Sequence, residues 1–153
     1  MLTDKKQITK KIRADLKKAF PKCKFSVTRG DYNKITVSLM QAPFEVFSNE
    51  YPDKYEISGQ DWLYDQMIKE TKGAADHGHC GLNEYWIHEG DLSNCVKNNG
   101  IFITFDAANL LREVIKIVDS YNYDKSDLMT DYFNVNFYFY LQIGKWDKPF
   151  IKK

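Results

Sequence analysis

The chain has 153 residues, 43% of them hydrophobic and 15% aromatic, with a net charge of +1. That is one domain's worth of chain, able to bury its own core without disulfide staples, and its composition suits a packed globular domain and argues against disorder. No apolar run approaches the roughly 18–20 residues of a membrane span, the start "MLTDKKQITKK" lacks a signal-peptide core, and three widely spaced cysteines argue for a reducing cytosol rather than a disulfide framework.

The near-zero net charge hides a division. Residues 1–29 hold ten Lys/Arg and two Asp, a balance of +8, whereas the rest carries −7. A basic N-terminal element therefore precedes an acidic body.

Residues 3–20 read as a helix, capped at Thr3 or Asp4 and stopped by Pro21. Ile8, Ile12 and Leu16 form its apolar stripe. Lys6, Lys10, Arg13 and Lys17 lie on its basic side, where they suit phosphate contacts; the simpler reading is a solvated lysine face. In "KFSVTRGDYNKITVSLM" alternating apolar residues flank a turn at "RGDYN", which predicts a β-hairpin. Residues 42–58 read as a loop with a short strand at 54–58. "GQDWLYDQMIKETKG" predicts a helix ended by Gly73, with Trp62, Leu63, Met67 and Ile68 on its apolar side.

Residues 74–100 show no firm period, which is uncommon inside a compact domain unless the segment is functional or inserted. Within it, "DHGHCGLNEYWIHEGDLSNC" gathers all three histidines and two of the three cysteines. His77, His79, Cys80 and Cys95 could supply a tetrahedral zinc site, with His88 as a substitute, although no C-x-x-C or H-x₃-H pair is present. Cys80 with His88 as base and Asp76 or Asp91 as orienter is a conceivable hydrolase arrangement. The simplest reading remains a glycine-rich surface loop, in which Trp86, His88, Glu89 and Asp91 are candidates for partner contact.

"IFITF" is a short strand or helix lead, and "DAANLLREVIKIVDSYN" a second long helix with a broad apolar face. "YNYDKSDLMTDYF" supplies turn residues rather than a calcium loop. The final strand, "YFNVNFYFYLQIG", puts Phe133, Val135, Phe137, Phe139, Leu141 and Ile143 on its core face. Tyr132, Tyr138 and Tyr140 lie on the other, where they can pack on a second layer, stack bases or anchor a protein partner. Pro149 is expected to end the pairing. These elements predict an α+β fold: an antiparallel sheet, two long helices on one face, and a single domain over 1–153 with an insertion at about 44–100.

The motifs "KKAFP-x-x-KFSV" and "YNYD-x-SD-x-MTDYF-x-VNFY…IGKWDKPF" resemble one of the large polyvalent protein-associated domain families of phages and conjugative elements. The resemblance covers the two ends of the chain and leaves the middle outside. It implies a non-enzymatic mobile-element protein acting in the bacterial cytoplasm, with no catalytic residues to carry over and no required cofactor. Such proteins often block host defences, so the expectation is an inhibitor of a defence system such as a CRISPR nuclease, binding a host protein or protein–nucleic-acid complex. A second reading is a nucleic-acid-binding accessory protein using the basic helix and the tyrosine face. A third is a zinc-dependent hydrolase.

Overall fold

A computed structural model describes residues 5–30, 33–57, 61–84, 87, 91–98, 100–121 and 137–153. Helix α1 spans Lys5–Ala19, followed by strands β1 (Lys24–Gly30) and β2 (Lys34–Ala42). A 3₁₀ turn at Lys54–Glu56 precedes helix α2 (Asp61–His77) and the short strands β3 (Cys80–Leu82), β4 (Val96–Asn98) and β5 (Ile101–Ile103). Helix α3 (Phe105–Asp119) and strands β6 (Tyr138–Ile143) and β7 (Ile151–Lys152) complete the fold. No helix among the described residues is long and apolar enough to cross a membrane.

The α+β class follows from one five-stranded sheet with helices α1 and α3 on the same face. Its strand order is β1-β2-β6-β3, with β7 joining β2 beyond the end of β6. Ile8, Ile12 and Leu16 of α1 are fully buried, and the helix stops just before Pro21, which disfavours helical backbone at Phe20. From α3 come Ala107, Leu111, Val114 and Val118. They meet Val27, Ile35, Val37, Leu39, Phe139, Leu141 and Ile143 from the sheet. The cross-strand rows explain this set: Val27 pairs with Val37, Val37 with Leu141, and Leu82 with Leu141. One row of side chains thus crosses four strands on one face.

The sheet is mixed rather than antiparallel. β2 runs parallel to both β6 and β7, while β1–β2 and β3–β6 are antiparallel. Alternation tells which face a residue takes but not which way its strand runs. The long, helix-bearing connection between β2 and β6 permits the parallel pairing. Pairing also resumes after Pro149, where Ile151 and Lys152 take up Gln41 and Ala42.

A second layer holds the β4–β5 hairpin beneath α2. Ile57, Met67, Cys95 and Phe102 form its small core. Thr71 serves both elements: its hydroxyl donates to the Met67 carbonyl at 2.7 Å and accepts from the Phe102 amide at 2.9 Å. α2 continues through Gly73, where an added Cβ would meet nothing within 4 Å, and ends at His77, just before Gly78. There φ is +66°, and the Gly78 amide donates to the Ala74 carbonyl at 2.8 Å. This is the left-handed C-terminal glycine that helices favour. Residues 54–56 form the 3₁₀ turn rather than a strand, capped by Asp53, whose side chain accepts from the Tyr55 amide.

Asn98 joins the two layers. Its buried side chain accepts from the Asn83 amide at 2.9 Å and donates to the Asn83 carbonyl at 2.8 Å. One side-chain amide thus extends β3's edge as a backbone would.

Candidate interaction surface

The histidine–cysteine segment is dispersed by the fold. His77 is the exposed last residue of α2, His79 follows the Gly78 turn, and Cys80 opens β3. Cys80 is paired with Ile143 and packs against the main core. Cys95 is fully buried in the other cluster, beside Met67 and Phe102. Among the described residues no three His, Cys, Asp or Glu side chains are grouped as a metal would need. Burial pushes the Cys80 thiol up to about 12. It also pushes Cys95 up to about 11, with Glu56 and then Glu50 adding to the effect. Both thiols therefore stay protonated near neutral pH, the form that is neither a good nucleophile nor a metal ligand.

Trp86, His88 and Glu89 lie outside the described residues, so the candidate partner surface there reduces to Asp91. Its carboxylate accepts from Arg112 at 2.6 Å. The same guanidinium donates twice to the Ile87 carbonyl, at 2.8 and 3.2 Å. Asp91 thus helps fasten its segment to α3.

On α1, Lys6, Lys10, Arg13 and Lys17 are all exposed. Arg13 has a structural task as well: it donates to the Val27 carbonyl at 2.6 Å, closing part of the outer edge of β1. An edge carbonyl covered in this way is unavailable to a foreign strand.

Tyr138 and Tyr140 occupy the sheet face turned away from α1. They are 57% and 51% exposed, while Phe137, Phe139 and Leu141 beside them are buried. The rows across this face are Tyr138–Lys34–Gly30, Tyr140–Thr36–Thr28 and Gln142–Ser38–Ser26. Gln142 donates to the Ser38 hydroxyl at 2.7 Å. The Lys34 ammonium lies 4.3 Å from the centre of the Tyr140 ring, a favourable cation–π contact. The result is a polar, small-residue floor with two tyrosines standing on it. Tyr132 and the remainder of the expected strand before 137 lie outside the described residues.

The basic helix and the tyrosines therefore lie on opposite sides of one sheet. The two elements of the nucleic-acid reading are thus separate surfaces.

Tyr55 at 76% and Trp146 at 86% are exposed aromatics that the sequence reading did not single out, and Trp62, which it placed on the apolar side of α2, is 69% exposed. Trp62 lies about 140° round the helix from Met67, away from the buried line Met67–Thr71–Ala74. The spacing of that line was the available signal. Trp146 tops a tight turn closed by reciprocal Lys145–Lys148 backbone bonds of 2.8 and 3.0 Å.

A family model described as large polyvalent protein associated domain 29 matches residues 3–90. The match runs continuously from α1 through α2 and β3, so it includes most of the middle that the sequence resemblance left aside. No curated protein and no solved structure matches the chain.

Proposed function

The chain belongs to the large polyvalent protein associated domain 29 family, which marks it as a phage- or mobile-element-associated protein, and from that premise we propose that it is a non-enzymatic inhibitor. It binds a host protein or protein–nucleic-acid complex and blocks it sterically, a defence nuclease of the CRISPR kind being the target class. It acts in the cytoplasm of the bacterial host and needs no cofactor.

The observation that carries this reading is the pair Tyr138 and Tyr140, left exposed on one face of β6 while Phe139, Leu141 and Ile143 on its other face are buried. Tyrosine gives large contact area at little entropic cost, and its hydroxyl finds partners at a wet rim. Lys34 already takes one face of the Tyr140 ring. Stacking on a nucleobase would compete with that contact, which favours a protein partner here. The cysteines support a binding role too, since the Cys80 and Cys95 thiols are protonated and packed against separate apolar clusters.

The test compares the wild-type chain with Y138S/Y140S. Both are immobilised and exposed to a bacterial host lysate, and retained proteins are identified by mass spectrometry. A host protein held by the wild type and lost by the double variant is the expected result. Equal retention by both, or no specific retention, sinks the reading. Cleavage assays with purified CRISPR nucleases then test the target class, which falls if no nuclease is slowed.

A further inference from the structure

We propose that the outer face of α1 is a binding track for a nucleic-acid phosphate backbone, separate from the tyrosine face. With Ile8, Ile12 and Leu16 turned into the core, the opposite side of the helix faces solvent. At 3.6 residues per turn, Lys10 and Lys17 form one row on that side and Lys11 and Lys18 a second. Gln7 and Ala14 lie between the rows.

Among the described residues no acidic side chain balances the charge on this face. Asp15 is the only acidic residue of α1, and its carboxylate accepts the Tyr121 hydroxyl. Among the described residues none of Lys10, Lys11, Lys17 and Lys18 has an ion-pair partner. Arg13, which the sequence placed in the phosphate-binding set, is occupied at the Val27 carbonyl. Lys11 and Lys18 take its place.

An acidic protein would also satisfy this charge, but the rest of the face points elsewhere. Protein interfaces draw most of their energy from a few aromatic or arginine anchors in desolvated pockets. Between these lysine rows there is only an alanine and a glutamine. Attraction is left to charge alone, and a polymer with an anion on every unit uses two rows of point charges best. Lysine has no rigid fork to read base edges, so the binding is to phosphate and independent of sequence.

The purified full chain is titrated by fluorescence anisotropy against labelled oligo-dT and a mixed-sequence duplex, each about 20 units long, from about 20 to about 200 mM NaCl. Four phosphate contacts give a log–log salt slope of about −3 on the single strand and about −4 on the duplex. K10Q/K11Q roughly halves the slope, and K10Q/K11Q/K17Q/K18Q abolishes binding while leaving the circular dichroism spectrum unchanged. Y138S/Y140S binds as the wild type does, so this track and the protein-binding reading fail independently. Absence of binding at the lowest salt overturns the proposal, as does undiminished binding by the quadruple variant. Displacement of the oligonucleotide by polyglutamate at a lower charge concentration than by unlabelled DNA also overturns it, in favour of an acidic protein.

Discussion

Gly144 passes so close to Gly78 that a Cβ built at position 144 would lie 2.0 Å from the Gly78 carbonyl oxygen. The same carbonyl accepts from the Phe150 amide at 2.8 Å. Both glycines are in the left-handed region, with φ of +60° and +66°. The excursion between β6 and β7 thus clamps the turn between α2 and β3. Gly144→Ala is expected to cost at least about 2 kcal/mol, since it adds a backbone clash to a disfavoured φ. Gly78→Ala should behave alike, its Cβ falling 2.6 Å from that of Pro149. Gly73→Ala is the contrast: it sits inside α2 in open space and should stabilise by about 0.5–1 kcal/mol. Urea unfolding midpoints distinguish the three.

Asn98→Ala should cost about 2–3 kcal/mol. It removes both bonds to the Asn83 backbone and leaves the amide and carbonyl there without those partners. The variant should exchange the Asn83 amide hydrogen faster than the wild type does. Unchanged exchange at that amide would show that Asn98 is dispensable to the joint between the layers.

Arg13→Ala should lower stability by about 1 kcal/mol, by freeing the Val27 carbonyl at the edge of β1. Its salt slope on DNA should match the wild type's, because Arg13 reaches toward β1 and lies off the lysine rows, about 100° round the helix from Ala14. A slope reduced by about one unit would instead place Arg13 on the phosphate track.

Stability should fall in strong base through the cysteines. Cys80 and Cys95 have their pKa raised from 9.0 in the ordinary thiol to about 12 and about 11. The folded state therefore holds these protons more tightly than the unfolded state does. Their contribution is fully present below about pH 9 and is lost as pH rises through 11 to 12. Cys80→Ala should flatten that decline. Aromatic disulfide reagents should label both thiols far more slowly in the native chain than in urea.

The parts of the fold legible in the sequence were those governed by local period. Ile8, Ile12 and Leu16 fall every fourth residue and are fully buried; Phe137, Phe139, Leu141 and Ile143 alternate and are buried. That Tyr138 and Tyr140 take the opposite face followed from that alternation; that this face stays open did not, since a second packed layer would have given the same pattern. Strand direction did not, because both directions place a given residue on the same face. Trp62 was assigned to the core on its apolar character, but Met67, Thr71 and Ala74 define the buried line of α2, and one of these is a threonine. The histidine–cysteine segment was illegible for a different reason: crowding along the chain does not say which residues converge, and the fold sends Cys80 to the main core and Cys95 to the second. The clamp at Gly78 depends on residues 144–150, and no local pattern announces such a contact.

The position of β2 has a consequence for how the protein is made. This strand has β1 on one side and β6 and β7 on the other, and those last two lie about a hundred residues further along the chain. During synthesis the α1–β1–β2 unit can form early from local contacts, but it then waits with one backbone edge unpaired. Such a waiting edge invites pairing with other nascent chains and slows folding through a costly long-range closure. A chain released before residues 138–152 have left the ribosome would lack both partners for that edge. It should aggregate, although it retains the whole segment by which the family is recognised.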